Sequence, residues 1–158
     1  MDKSPGTYIL ILYAKAPVQV GIGKLGLLRG QPGYYLYCGS AFGPGGLPAR
    51  LKHHCKIAKR PHWHIDYLRK KLVLSHIWYS HEPTKREHDW AQLLGAETSA
   101  AFPQPGFGSS DCKCLSHMIY LSHKPTLAEF QHKLNRCVPG YDGNFPILDI
   151  QCSGVPRI

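Results

Sequence analysis

The stretch that decides the fold is Tyr8-Ile-Leu-Ile-Leu-Tyr13, an unbroken apolar and aromatic run near the start of the chain. Because polar residues do not alternate with the apolar ones, the run predicts a central strand that is buried on both faces. A second, aromatic strand is predicted at residues 34–38, after a glycine-punctuated segment typical of an elaborated hairpin or a three-strand meander. A further strand is predicted at residues 72–80.

Helical patterns lie between and after these strands. Pro48, in a first-turn position, predicts a helix that covers residues 47–58. Further helices are predicted at residues 64–71, 84–96 and 126–137, whereas the last twenty residues lack periodicity and are expected to wrap the surface without regular structure. The predicted class is therefore α/β (α+β), with a small, mainly antiparallel central sheet of three or more strands flanked by helices.

The composition fits one basic globular domain that covers residues 1–158. The 158 residues are 43% hydrophobic, which is enough for a single sizeable core. Nineteen Lys and Arg against ten Asp and Glu give a net charge of +9, which excludes an acidic or neutral protein and favours a polyanionic partner. Only 18% of the residues are charged, and this disfavours a coiled coil and a disordered basic tail.

The six cysteines raise the question of cellular compartment. The opening MDKSPGTYILILYAK has no charged region followed by an apolar stretch and a small-residue cleavage site, so it does not resemble a secretory signal. The longest apolar run, residues 8–14, is too short to span a bilayer. We expect a reduced, cytoplasmic protein that has no membrane contact. Its cysteines are then core residues, metal ligands or nucleophiles.

The predicted helix at residues 47–58 carries two functional candidates. Its apolar stripe consists of Leu47, Leu51, Cys55 and Ala58, and we expect this stripe to dock on the sheet. Arg50 and His54 are four residues apart and project together along the edge of the stripe. An arginine beside the core needs an anionic partner, and two interpretations remain open: a structural ion pair or packed stem, and a contact with a phosphate or other anion.

Glu87 also has two interpretations. Thr84-Lys-Arg-Glu87 has the pattern of a capping box, in which Thr84 caps the helix and Glu87 reaches back to it. On the helical wheel, however, Glu87 shares the core-facing side with Trp90 and Leu94. A carboxylate on that side suits a hard divalent cation, which prefers oxygen ligands. The wheel alone does not decide between a cap and a metal ligand.

Cys112-Lys-Cys114 and His117 form a second candidate site. They provide three metal-ligand side chains within six positions, and His62 or His64 is available as a fourth ligand for zinc. The spacing differs from the usual CxxC pair. The alternative is that the two cysteines are small buried hydrophobic residues and that His117 begins a strand.

Basic residues cluster around the predicted helix at 47–58 and the one after it. The set predicted to bind nucleic acid is Lys52, Lys56, Lys59, Arg60, Arg69, Lys70 and Lys71. Such a cluster is either a solvated face or a phosphate-binding surface, and the net charge favours the second. Contacts of this type give affinity without sequence preference.

Gly6-Thr-Tyr8 begins the first strand, Tyr37-Cys-Gly39 ends a later one, a helix with Arg50 and His54 follows, and Glu87 lies on a further helix. This order resembles the GIY-YIG endonuclease superfamily, in which the two tripeptides occupy neighbouring strands of a small sheet. The similarity extends over about residues 6–121, through the segments 34–41, 61–66 and 107–114 and His117, and looks like a small stand-alone branch of the superfamily. The remainder, residues 122–158, is the predicted last helix and the irregular tail.

The resemblance implies hydrolysis of phosphodiester bonds in nucleic acid, DNA in preference to RNA, by a one-metal mechanism that uses Mg²⁺ or Mn²⁺. Tyr8 corresponds to the general base, with Tyr37 or His54 assisting, while Arg50 and a metal on Glu87 stabilise developing charge. The alternative function is a nucleic-acid-binding module without catalysis, with a structural zinc. Two departures stand out: isoleucine is replaced in both tripeptides, and the two tyrosines lie 29 positions apart, which predicts an inserted strand or loop.

Overall fold

In a computed structural model, which describes residues 1–57, 60–97, 99–109, 112–141 and 143–152, the predicted buried strand lies at the centre of the sheet. The strands are β1 (Gly6–Ala14), β2 (Val18–Gly21), β3 (Leu27–Gly30), β4 (Gly33–Ala41), β5 (Val73–Ser80), β6 (Met118–Leu121) and β7 (Leu148–Gln151). The helices are α1 (Gly46–Cys55), α2 (His64–Leu68), α3 (Glu87–Gly95) and α4 (Leu127–Cys137), with a 3-10 turn at Gly23–Leu25.

The main sheet has five strands in the order β6-β4-β1-β5-β7, and each strand is antiparallel to its neighbours. Helices flank it, so the predicted α+β class with a small antiparallel sheet is confirmed. The order explains the continuous apolar run of β1, because this strand is hydrogen-bonded along both edges and covered on both faces.

Two apolar clusters cover the faces of the sheet. On one face, Tyr8 and Leu10 pack with Leu47 of α1. On the other face, Ile9 packs with Trp90 of α3 and with residues of α4. The alternation of β1 side chains between these clusters places Tyr8 on the α1 side, whereas Glu87 enters from the α3 side. A site shared by these residues must therefore lie at the end of the sheet.

The 29 positions between Tyr8 and Tyr37 contain a small sheet of their own. Strands β2 and β3 pair antiparallel as a hairpin outside the main sheet, and this is the insertion expected from the sequence. Val20, Ile22 and Leu28 are buried in the cluster on the α1 side. The insertion therefore extends the core and leaves β1 and β4 in direct contact.

Several predicted features are wrong, among them the end of the helix predicted at residues 64–71, which is at Leu68. The tail was expected to be irregular, but β7 pairs with β5; its four residues are all exposed, so they carry no buried alternating pattern. Helix α1 ends at Cys55, before the predicted end at Ala58, which lies outside the described residues, and Cys55 is exposed rather than part of the buried stripe. Helix α3 begins at Glu87, three residues after Thr84.

The described helices are all too short or too polar to cross a bilayer.

Candidate functional site

The pairing of β1 with β4 brings the two tyrosine-bearing tripeptides together. Tyr8 lies opposite Gly39, and Tyr37 lies opposite Leu10, so both tyrosines belong to the cluster on the α1 side. Gly39 has a steric role, because a Cβ atom built on it would clash with Cζ and Oη of Tyr8. The absence of a side chain at Gly39 makes room for the Tyr8 ring.

We expect Gly39→Ala to destabilise the protein by about 1–3 kcal/mol, since an added methyl group must displace a buried ring. Gly21→Ala is the matched control: Gly21 also lies in a strand, but its Cβ would have no atom within 4 Å. For the control we expect a change within about 0.5 kcal/mol. Urea unfolding of both variants measures the difference, and equal stabilities would contradict the steric role.

Tyr8 forms a hydrogen bond with His54. Both side chains are buried, and Tyr8 Oη is 2.7 Å from His54 Nε2. The other ring nitrogen of His54, Nδ1, is 4.0 Å from Oδ1 of Asp66, a carboxylate that also accepts hydrogen bonds from the backbone N–H groups of His62 and Trp63. The Tyr8 phenol, the His54 imidazole and the Asp66 carboxylate therefore lie in a row. Such a row can accept a proton and stabilise the positive charge that results.

Both tyrosine hydroxyl groups are held in the protonated form. Burial raises the pKa of Tyr8 well above its ordinary value, Glu87 adds to the rise, and a hydrogen bond and the charge of Arg50 oppose it. Burial, followed by the neighbouring Tyr8 and Glu87, also raises the pKa of Tyr37. At neutral pH neither hydroxyl group ionises by itself. Tyr8 can therefore accept a proton only if the proton of its own hydroxyl group moves to His54.

Arg50 lies on the cleft side of α1. Its Nη1 atom donates a hydrogen bond to the Ser40 carbonyl oxygen at 3.1 Å, and its guanidinium carbon lies 4.5 Å from the centroid of the Trp63 ring. In the part of the chain that the structure describes, no carboxylate forms an ion pair with Arg50. The guanidinium therefore packs on Trp63, and its charge is available to an external anion.

Glu87 has partners other than Thr84. Its Oε2 accepts a hydrogen bond from Ser40 Oγ at 2.6 Å, and its Oε1 lies 3.3 Å from His117 Nδ1. The capping interpretation is wrong: residue 86 is the N-cap and its side chain makes no capping bond. Ser40, which carried no signal in the sequence, therefore connects the Glu87 carboxylate to Arg50, through its hydroxyl on one side and its carbonyl on the other.

A cleft of about 490 Å³ opens over these residues. Tyr37, Arg50 and Glu87 form part of its wall, together with the exposed Lys85, which the sequence analysis did not select. Tyr8 and His54 lie behind this wall. Glu87 is the one carboxylate among the described residues that line the cleft, so the cleft has more positive than negative side chains.

His88, Cys112, Cys114 and His117 form a cluster beside the cleft that can hold a metal ion. Their ligand atoms all lie within 4.8 Å of one another. His88 Nδ1 is 3.2 Å from Cys114 Sγ, and His117 Nε2 is 3.3 Å from Cys112 Sγ. The alternative of cysteines buried as hydrophobic residues is wrong, because both are partly exposed.

The fourth member of this cluster differs from the prediction. His64 accepts a hydrogen bond from the Gly108 N–H at 2.9 Å, and His62 lines the cleft. His88 takes the fourth place instead. It directly follows Glu87 in α3, and only the packing of that helix against the loop before β6 brings it to the cysteines.

The predicted basic surface is partly present. Lys52, Lys56, Arg60, Lys70 and Lys71 are exposed, whereas Lys59 lies outside the described residues. The prediction that Arg69 contacts phosphate is wrong, because Arg69 is buried. Its guanidinium donates hydrogen bonds to the carbonyl oxygens of His54 and Leu72. Arg69 holds the end of α1 to the segment that follows α2.

The fold and the site define a small basic α+β protein with a tyrosine, histidine, arginine and glutamate cleft beside a histidine and cysteine cluster. The chain matches the family described as "Domain of unknown function DUF123" over residues 7–138 and belongs to that family. The matched region contains both the cleft and the cluster. No curated protein and no solved structure matches the chain.

Proposed function

We propose that this protein is a divalent-metal-dependent endonuclease that hydrolyses phosphodiester bonds in nucleic acid, with DNA as the favoured substrate. The observation that carries the proposal is the convergence of Tyr8, Tyr37, Arg50, His54 and Glu87 at one end of the sheet. These residues come from β1, β4, α1 and α3. They are also the five that the resemblance to the GIY-YIG superfamily selects, and that likeness adds support.

Glu87 and its surroundings fit Mg²⁺ or Mn²⁺. Glu87 accepts a hydrogen bond on Oε2 and lies beside His117 with Oε1, and it retains lone pairs for a cation. Mg²⁺ often binds through one or two carboxylates, with waters and phosphate oxygens completing its shell. The cleft beside Glu87 has room for these groups. A bound cation would supply stabilisation of negative charge on the reacting phosphate. One carboxylate in the wall agrees with a one-metal reaction.

The side chains of this protein would handle the proton and the charge. We infer that the attacking water gives a proton to the Tyr8 oxygen while the Tyr8 proton moves to His54 Nε2. The new oxygen–phosphorus bond forms as the bond to the leaving oxygen breaks, and the leaving oxygen takes up a proton from solvent in the cleft. Asp66 stabilises the positive imidazole, and the Arg50 guanidinium stabilises the charge on the phosphorane. Since the Tyr37 side chain lines the cleft, its hydroxyl group orients the water.

Removing the Tyr8 hydroxyl tests this proton path. We expect Tyr8→Phe to lower the single-turnover cleavage rate by about 10²–10⁴-fold, the usual contribution of general acid–base catalysis. Tyr35→Phe is the control, because Tyr35 is equally buried but donates its hydrogen bond to the Gln31 carbonyl oxygen. If both variants cleave at the wild-type rate, Tyr8 has no part in proton transfer.

We further propose that the cluster of His88, Cys112, Cys114 and His117 binds zinc. Two thiolates and two imidazoles are a common ligand set for tetrahedral structural zinc. One zinc ion per chain in the purified protein would support this proposal, and a purified protein without metal would contradict it. The experiment separates this metal from the one at Glu87, which has oxygen ligands and exchanges rapidly.

A nucleic-acid-binding module without catalysis is the second candidate. It is favoured by one observation: the Tyr8 hydroxyl lies behind the cleft wall, with no exposed surface. The exposed Lys52, Lys56, Arg60 and Lys70 would then provide most of the affinity. Cleavage assays with Mg²⁺ or Mn²⁺ on single-stranded, duplex, branched and abasic DNA separate the candidates, because a binding module retains strongly salt-dependent binding but leaves every substrate intact.

A further inference from the structure

The buried imidazole of His117 lies between the two candidate metal sites. Its Nε2 atom is 3.3 Å from Cys112 Sγ in the cluster, and its Nδ1 atom is 3.3 Å from Glu87 Oε1 at the edge of the cleft. The side chain is 1% exposed, so both nitrogens are held in this environment by packing. One ring thus contacts a thiol on one side and the candidate metal-binding carboxylate on the other.

The ligand distances in the cluster suit one tetrahedral ion. Zinc lies about 2.3 Å from sulfur and about 2.0–2.1 Å from nitrogen, which places a sulfur and a nitrogen of the same tetrahedral site about 3.6 Å apart. The sulfur–nitrogen distances of 3.2 and 3.3 Å in the cluster are close to this value. Small movements of partly exposed cysteines are enough to complete the site.

A metal on Nε2 determines where the proton of the His117 ring resides. A neutral imidazole carries its proton on either nitrogen, but one whose Nε2 is a ligand carries it on Nδ1. Nδ1 lies 3.3 Å from Glu87 Oε1, so a metal-bound ring would direct its N–H group toward that oxygen. A carboxylate that accepts from a ligating histidine commonly orients that histidine and strengthens metal binding.

We propose that zinc in this cluster, acting through His117, positions Glu87 for its own cation. This rests on the proposed function, in which Glu87 binds Mg²⁺ or Mn²⁺. Ser40 donates a hydrogen bond to Oε2, and His117 Nδ1 lies 3.3 Å from Oε1, so the side chain is held in the cleft wall from both sides. His88, the residue after Glu87, ties the first turn of α3 to the same zinc. His117 is a positioning residue, and it contacts the substrate through neither nitrogen.

The first test measures the affinity of the cluster, without any cleavage. Co²⁺ bound by two thiolates gives a charge-transfer band, and Zn²⁺ displaces it, so titrations of the full chain provide affinities for both ions. Because Glu87 is the carboxylate partner of a zinc-ligating histidine in this proposal, we expect Glu87→Gln to weaken Zn²⁺ binding by about 10- to 100-fold. Asp89→Asn is the control, since Asp89 lies in the same turn of α3 but pairs with Arg86.

Two outcomes of this titration overturn the proposal. One is a wild-type protein in which Co²⁺ gives no thiolate band; the other is a Glu87→Gln variant that binds Zn²⁺ as tightly as the wild type. A wild type that does not cleave DNA, but in which Glu87→Gln weakens Zn²⁺ binding, would remove the proposed nuclease function and leave the coupling in place.

The second test measures the coupling in the opposite direction. Mn²⁺ affinity is determined by electron paramagnetic resonance for zinc-loaded wild type, for zinc-stripped wild type and for Cys114→Ser. We expect about 10-fold weaker Mn²⁺ binding in the last two samples. Cys137→Ser, which changes an exposed cysteine on α4 outside the cluster, should bind both ions normally. Equal Mn²⁺ affinity with and without zinc would show that the zinc does not position Glu87.

Discussion

Replacing Glu87 by glutamine is expected to reduce Mg²⁺-dependent cleavage by about 10³-fold, because a catalytic cation contributes several kcal/mol of charge stabilisation. The amide has the shape of the carboxylate and still offers an oxygen to Ser40 Oγ, so we expect the fold to be retained. It lacks the negative charge that holds the cation. The loss should therefore appear in the cleavage rate and in the Mg²⁺ concentration required, and less in DNA affinity.

Asp89→Asn provides the comparison for this prediction. The substitution removes one carboxylate from the same first turn of α3. This carboxylate pairs with Arg86, and 43% of the Asp89 side-chain surface is exposed. We expect cleavage by Asp89→Asn within about threefold of the wild type, as for an ordinary surface substitution. Equal rates for Glu87→Gln and wild type at limiting Mg²⁺ would show that the cation does not bind at Glu87.

The second large effect is expected at Arg50. Truncation to alanine removes the guanidinium that the cleft presents to an anion, and we expect a loss of about 10²–10³-fold in the cleavage rate, similar to the removal of one preorganised donor to a developing negative charge. Arg50→Lys keeps a charge but loses the planar group that packs on Trp63 and donates to Ser40. The cleavage rate of Arg50→Lys should lie between those of the wild type and of Arg50→Ala.

Lys52→Ala is the control for net charge. Lys52 lies on the same helix as Arg50 but is exposed on its outer side. We expect this variant to raise KM and to leave kcat nearly unchanged, since a phosphate contact on the surface contributes to binding in the ground state and the transition state alike. A larger fall in kcat for Lys52→Ala than for Arg50→Ala would reverse the assignment of the two positions.

The residues on β1 and β4 could be predicted because their signals are local. An apolar run that does not alternate predicts a strand buried on both faces. Tyr8 and Tyr37 are selected by the resemblance of their tripeptides to those of the GIY-YIG superfamily. The arginine and histidine on α1 also follow from a local spacing of four residues. Each of these inferences depends on a few neighbours in the sequence, and the structure has strands and a helix at these positions.

The parts that sequence analysis missed depend on contacts between distant segments. The backbone N–H of Arg86 donates to Thr7 Oγ1, 79 positions away, at the point where α3 begins, which leaves Thr84 outside the helix and Glu87 free of a capping role. His88 reaches the cysteines only because α3 packs beside the loop before β6. Nothing in the local sequence distinguishes Arg69 from a surface cation. Its burial depends on hydrogen bonds to carbonyl oxygens, one of which is 15 positions away.

Metal-dependent cleavage by the purified wild-type protein tests the central claim most directly. Labelled single-stranded, duplex, branched and abasic DNA are incubated with excess protein in Mg²⁺ or Mn²⁺, and again with EDTA. We expect at least one substrate to be cut at internal phosphodiester bonds with either metal and none with EDTA, and we expect Tyr8→Phe, Arg50→Ala and Glu87→Gln each to lose this activity. Intact substrates in every reaction, from a folded protein that binds them with a steep salt dependence, would contradict the claim.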